Sequence, residues 1–214
     1  MIPLLHDFSG RRVLVFGGGR VGARRARTFA READVVVVSP AFEGGPYGDA
    51  SLVRAAPRPV DADAWVERVA PALVVAATDD PDLNDAVARA ARERGCLVNR
   101  ADRSGDREAG DVAVPATVRD DPVVVAVSSG GRSPAVSRVL RRRIEREVEG
   151  AGELARLTGD LRERLREEQP PERRRAAVRA VAESDRVWKT LGSGTGKAEQ
   201  IVDEIVSAQL GESP

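Results

Sequence analysis

The stretch RVLVFGGGRVGARRA, residues 12–26, sets an apolar run against three consecutive glycines and then a basic, alanine-rich segment. Taken as strand, turn and helix, it fits the spacing G-x-G-x-x-G through Gly17, Gly19 and Gly22. Each glycine then has a physical task. The first permits a tight turn, the second lets a pyrophosphate approach the main chain, and the third lets the helix pack closely on the strand. Unpaired N–H groups at the helix start, with the helix dipole behind them, favour the phosphate's charge. The competing explanation is a tight turn with no ligand. What decides between them is whether an alternating strand–helix pattern follows.

It does, for the next eighty residues. Strands are expected at VLVF (13–16), VVVVS (35–39), SLVRA (51–55), ALVVAAT (72–78) and CLVN (96–99). The runs are continuously apolar rather than alternating, as expected where both faces of a sheet are covered. Helices are expected over 21–31, 61–69 and 81–94, the last with Pro81 in its first turn. Short links between alternating elements imply an α/β fold with a doubly wound parallel sheet. The pattern then changes. A polar loop covers 100–111, DVAVPATV (111–118) and PVVVAVSS (122–129) are expected strands, and a helix is expected over 133–149. That helix starts after Ser133 and carries Val136, Val139, Leu140 and Ile144 on one face. Beyond it the chain is expected to be all helix. The Pro170-Pro171 pair breaks it, one helix follows to Leu191, and LGSGTG serves as a hinge before a final helix with Ile201, Ile205 and Val206 on one face. The expected boundaries are 1–112, 113–149 and 150–214.

The cofactor side of the first unit is specified in part. Strand two would ordinarily end in an acid to bond the ribose, but it ends in Ser39 and Pro40. A serine hydroxyl can make that bond, less strongly than a carboxylate. No arginine follows at once to take a 2′-phosphate, which favours NAD over NADP. LGSGTGKA (191–198) imitates a phosphate-binding loop, but Leu191 and Ala198 stand where Gly and Ser or Thr are required.

Composition sets the outer limits. The chain of 214 residues has 34 basic and 34 acidic side chains, and the positive ones are arginine except Lys189 and Lys197. The charge is unevenly placed: residues 132–179 carry 14 arginines against nine acids. Such a belt suits either a polyanionic ligand or a solvated helical surface. Cys96 is the only cysteine and His6 the only histidine, so an intrachain disulfide and a His/Cys metal site are both excluded. No metal site, nucleic-acid partner or membrane segment is expected, and a soluble, cytoplasmic protein is.

Four stretches taken together are more specific than the glycine turn. They are 3–29 (PLLHDFSGRRVLVFGGGRVGARRARTF), 74–91 (VVAATDDPDLNDAVARAA), LVN to Asp102, and 126–145 (AVSSGGRSPAVSRVLRRRIE). In this order and spacing they resemble precorrin-2 dehydrogenase, the NAD-binding part of siroheme synthase, over roughly residues 1–149. The resemblance implies a Rossmann-type NAD-binding domain, a strand-plus-helix dimerisation segment and a small all-helical C-terminal domain, working as a homodimer. It implies NAD-dependent loss of a hydride and a proton from precorrin-2, giving sirohydrochlorin. Some members of that family also insert ferrous iron.

Carried over residue by residue, the resemblance gives Gly17, Gly18, Gly19, Arg20, Val21 and Gly22 to the pyrophosphate. It gives Ser39, Pro40, Ala41 and Phe42 to the adenosine side, and Thr78 and Asn99 to the coenzyme at the ends of their strands. Asp102, just past Asn99, takes the place of the family's general base, with Asp106 and Asp111 in the same loop as substitutes. Ser128, Ser129, Gly130 and Arg132 become contacts for substrate carboxylates, where the bland alternative is a capped helix and a dimer contact. The chain departs from the family in a longer 102–115 loop and in Gly110-Asp111-Val112, where Cys-Asp-Phe is usual. Two other functions fit parts of the sequence. One is an NAD-sensing regulatory module without catalysis, and the other is a sirohydrochlorin ferrochelatase only.

Overall fold

The computed structural model describes residues 2–103, 108–191 and 195–211, and these fall into two compact units, one within 1–114 with 130–132 and the other within 115–129 with 133–214. The first unit is built on five parallel strands, β1 (Arg12–Phe16), β2 (Asp34–Ser39), β3 (Ser51–Arg54), β4 (Leu73–Ala76) and β5 (Leu97–Arg100). Their order across the sheet is β3-β2-β1-β4-β5. Strand β1 is central because every residue from Val13 to Phe16 is fully buried, and alternate side chains serve opposite faces. Val13 and Val15, with Val35, Val37, Leu73 and Val75, pack on Ala23 and Ala26 of α1 (Arg20–Phe29). Leu14 and Phe16, with Val38 and Val74, pack on Val66 and Val69 of α2 (Ala62–Val69), and on Leu83, Val87 and Ala91 of α3 (Pro81–Glu93). Two covered faces explain the continuous valine runs. The chain leaves β1 for β2 on one side and returns to β4 on the other. A topological switch point therefore lies at the C-terminal ends of β1 and β4, where doubly wound sheets bind ligands.

The second unit begins with an antiparallel pair, β6 (Ala116–Asp120) and β7 (Val123–Val127), followed by α4 (Pro134–Glu147). The strand expected over 111–118 is shorter than its sequence suggests. Pro115 has no N–H to give a ladder, so pairing starts at Ala116, and Asp111 makes only an isolated bridge to Val98. Helices α5 (Ala151–Arg164), α6 (Pro171–Ala182), α7 (Asp185–Trp188) and α8 (Thr195–Leu210) close around Leu154, Leu161, Leu165, Ala177, Val181, Val187, Val202 and Val206. The single helix expected to Leu191 is two, because the Ser184 hydroxyl accepts from the Val187 N–H and starts a new one. In α8 the buried valines are Val202 and Val206, with Ile201 and Ile205 at the margin of the core. The middle of the LGSGTG hinge, 192–194, lies outside the described residues. Among the described residues no helix is long and apolar enough to cross a membrane.

Candidate active site

The three fingerprint glycines are distinguished by what a side chain would meet. Gly17 has φ +114°, and a Cβ there would fall 2.3 Å from the Ala77 carbonyl oxygen at the end of β4. A Cβ on Gly22 would lie 1.9 Å from the Gly17 oxygen, so the closeness of α1 to the turn requires glycine. A Cβ on Gly19 would meet nothing within 4 Å among the described residues. Gly19 caps α1 with no side-chain hydrogen bond, and no acid occupies the first turn. The first N–H groups of the helix therefore face an open approach, with exposed Arg20 and Val21 beside them. An uncapped, acid-free helix start behind a bare main-chain turn fits a pyrophosphate.

Gly18 carries a constraint the fingerprint spacing does not express. Its Cβ would lie 2.0 Å from the Ala41 oxygen and 2.8 Å from the Ser39 hydroxyl oxygen. Ser39 is buried, Pro40 and Ala41 are exposed, and Phe42 is half-buried. The chain then straps back over the turn. The Gly18 carbonyl accepts from the N–H groups of Glu43 (3.2 Å) and Gly44 (3.0 Å) and from the Tyr47 hydroxyl. A Cβ on Gly44 would come within 2.3 Å of the Gly19 oxygen. Gly44 and Tyr47 thus hold the segment after β2 against the glycine turn, and neither was identified from the sequence. The available signal was the Gly44-Gly45-Pro46-Tyr47-Gly48 cluster around the only tyrosine of an aromatic-poor chain.

Thr78 follows β4 and is absorbed in a local network. Its hydroxyl donates to the Asn84 side-chain oxygen (2.8 Å), its N–H bonds the same atom (3.2 Å), and the Asn84 amide donates back to the Thr78 carbonyl (2.9 Å). The cap of α3 is Asp80, whose carboxylate accepts from the N–H groups of Asp82 and Leu83. Asn84 is 1% exposed and fixes the β4–α3 turn beside Gly17. Asn84→Ala is expected to lower stability by about 1–3 kcal/mol by orphaning the Thr78 groups, measurable as a fall in the denaturation midpoint at unchanged slope.

Asn99 on β5 is 4% exposed. Its amide donates to the Val112 carbonyl (2.8 Å), while its oxygen is buried with no partner among the described residues. An orphaned acceptor at the C-terminal edge of the sheet suits a ligand amide donor. Three residues on, Asp102 is gripped at both oxygens by Arg100, Nε at 2.9 Å and Nη2 at 2.7 Å. The same guanidinium reaches Asp85 through Nη1, and Arg103 joins Asp85 at 2.9 Å. Burial pushes the Asp102 pKa up, but the Arg100 bonds and the charges of Arg100 and Arg103 outweigh it and hold the group below its ordinary value. Of the substitute bases, Asp111 is buried in an ion pair with Arg92 (2.6 Å), and Asp106 lies outside the described residues.

In the second unit the Ser129 hydroxyl donates to the Ser133 carbonyl (2.9 Å) and accepts from the Ser133 N–H (3.1 Å) and the Ser137 hydroxyl (3.0 Å). Ser133 caps α4 through the Val136 N–H. Gly130 and Gly131 have φ +65° and +85°, and Ser128 and Arg132 are exposed.

Comparison with known proteins gives this geometry a family. Residues 4–116 match the family model described as putative NAD(P)-binding, and 120–147 match one described as sirohaem biosynthesis protein central. A precorrin-2 dehydrogenase of Methanosarcina barkeri is 32% identical, with 98% of this chain and 95% of the relative covered. The likeness therefore runs well past residue 149, further than the quoted motifs extend. A siroheme synthase of Azotobacter vinelandii is 38% identical over 81% of this chain, but only 37% of that relative is covered. The chain spans less than half the length of the siroheme synthases it matches. In fold it is similar to the solved structure of SirC, precorrin-2 dehydrogenase, with a TM-score of 0.70, 22% identity, and 96% and 98% of the two chains covered. A fingerprint turn with the required clearances, on a chain matched nearly end to end, makes this protein a member of the precorrin-2 dehydrogenase and siroheme synthase family.

Proposed function

We propose that the chain dehydrogenates precorrin-2 to sirohydrochlorin in siroheme biosynthesis, using NAD. The observation that carries this is the open approach at Gly19, on a turn whose other glycines are hemmed in by main chain, within a family of NAD(P)-binding proteins. When bound, NAD supplies the hydride acceptor. The substrate gives up a hydride and a proton together, so the products are sirohydrochlorin, NADH and one proton.

The chain's own residues do the rest. N–H groups of Gly19, Arg20 and Val21 hold the pyrophosphate, with Gly17, Gly18 and Gly22 shaping the turn. Ser39 to Phe42 line the adenosine, and Thr78 and Asn99 face the opposite end of the coenzyme. Asp102 acts as an ionised carboxylate beside the reacting carbon, stabilising the positive charge left by hydride loss. Held below its ordinary pKa by Arg100, it is a poor proton acceptor at neutral pH, and solvent takes the proton. Ser128, Ser129, Gly130 and Arg132 form the corner offered to substrate carboxylates, with the Ser129 hydroxyl ordering the loop from within.

Residues 1–112 hold the coenzyme, 113–149 pair two copies in the cytoplasm, and 150–214 complete the helical side. Support for the homodimer comes from α4, whose Val136, Val139 and Leu140 are 50%, 42% and 39% exposed in the single chain. Asp102→Asn is expected to lower kcat about 10- to 100-fold while leaving the Kd for NAD within about twofold. The wild-type rate should show no acid limb down to about pH 5, since Asp102 stays ionised there. Titration of the folded protein with NAD and with sirohydrochlorin tests the site itself, and failure to bind NAD would reject it. Ferrous iron insertion is read separately, as siroheme formed from sirohydrochlorin without NAD.

A further inference from the structure

We propose that Arg54 reads the ribose 2′ position of the coenzyme, so that the site accepts NADP alongside NAD. The inference rests on the dinucleotide reading of the glycine turn. Strand β3 runs parallel to β2, and their register sets Arg54 directly against Ser39, the last residue of β2. The position on β2 where a carboxylate would bond the ribose and repel a 2′-phosphate thus holds a small neutral residue, and its lateral neighbour is a cation.

Arg54 is held at this edge by two contacts. Its Nη1 donates to the Pro40 carbonyl at 3.0 Å, and its guanidinium carbon lies 5.7 Å from the Phe42 ring centre. Phe42 meets Tyr47 edge-on, and Tyr47 bonds the Gly18 carbonyl, so the cation is tied through two side chains to the glycine turn. Among the described residues Arg54 has no ion-pair partner. It is exposed, and Nε and Nη2 remain as donors in the fork geometry that suits a phosphate. The single acid between Ser39 and Gly48 is Glu43, which is exposed and whose N–H is committed to the Gly18 carbonyl. The arginine is invisible to a fingerprint search because it arrives from the next strand, fifteen residues beyond Ser39.

The test measures Kd for NAD and NADP on the full chain at low salt. Wild type is expected to bind NADP within about tenfold of NAD, because a 2′-phosphate gains a charge-assisted contact and meets no carboxylate on β2. Arg54→Gln should weaken NADP about 10- to 30-fold and NAD less than about threefold, with Arg54→Lys in between. Arg54 is exposed on an edge strand, and unchanged circular dichroism would certify that the variants fold. The proposal is overturned if wild type binds NADP more than about 100-fold more weakly than NAD, or if Arg54→Gln weakens both coenzymes equally. Intact NAD binding with either result rejects the role of Arg54 alone. Failure of the folded wild type to bind either coenzyme rejects the glycine-turn site as well.

Discussion

Gly19→Ala is expected to fold normally and lose coenzyme, whereas Gly22→Ala is expected to lose the fold's first unit as well. The two substitutions add the same methyl group three residues apart. At Gly19 it enters open space on an extended backbone (φ −78°, ψ −175°) that alanine adopts without strain. The stability cost is confined to a weaker helix cap, up to about 1 kcal/mol. In the proposed site that open space receives the pyrophosphate, so the Kd for NAD should rise about 30- to 100-fold, or 2–3 kcal/mol. At Gly22 the methyl falls 1.9 Å from the Gly17 carbonyl oxygen, which is main chain in a turn already packed against β4. Relief requires moving α1 away from β1, and a loss of about 3 kcal/mol or more is expected. Paired thermal melts and NAD titrations separate the two. If Gly19→Ala bound NAD as wild type does, the pyrophosphate would not lie on that turn.

The second large effect is expected at Arg100. Its side chain is 6% exposed and serves two carboxylates, Asp102 at 19% and Asp85 at 50% exposure. Arg100→Met keeps the length and the packing but removes the charge, leaving Asp102 partly buried without its fork. Breaking a buried pair costs about 3–5 kcal/mol, and the exposure of Asp85 places the expected loss at about 2–3 kcal/mol. The pH dependence carries a sharper signature. In wild type both folded pKa values lie below the ordinary 3.8, so the stability these pairs contribute is present above about pH 4. It is lost only as pH falls through the lowered values. Without Arg100, burial of Asp102 is opposed by a backbone N–H bond and the weaker charge of Arg103, its pKa rises, and the acid loss of stability moves to higher pH. Turnover should then gain an acid limb that the wild type lacks. Denaturation midpoints and kcat between about pH 4 and 8 measure both. An unchanged pH profile would mean that Arg100 does not set the charge of Asp102.

Much of the first unit was legible because its physics is local. Runs such as VVVVS have no polar face, which only a strand covered on both sides allows, and glycine spacing reports clearances within one turn. Where partners come from elsewhere, the sequence was silent. Gly18 is an unspecified position of the fingerprint, yet Ala41 and Ser39 forbid it a side chain. Tyr47 closes onto Gly18 from 29 residues away. The pairing of Asp102 with Arg100 is short in sequence, but its force depends on burial that only the packed β5 end supplies. Two boundaries were misjudged for identifiable reasons: Pro115 cannot enter a ladder, and Ser184 restarts a helix whose apolar pattern runs on unbroken.

The most direct measurement is anaerobic turnover of precorrin-2 by the purified chain with NAD, following NADH and sirohydrochlorin together. One NADH should appear for each sirohydrochlorin, at a rate far above a blank without protein and strongly reduced in Gly19→Ala and Asp102→Asn. A folded, NAD-binding chain whose rate equals the blank would contradict the assignment and leave a coenzyme-binding module without this reaction.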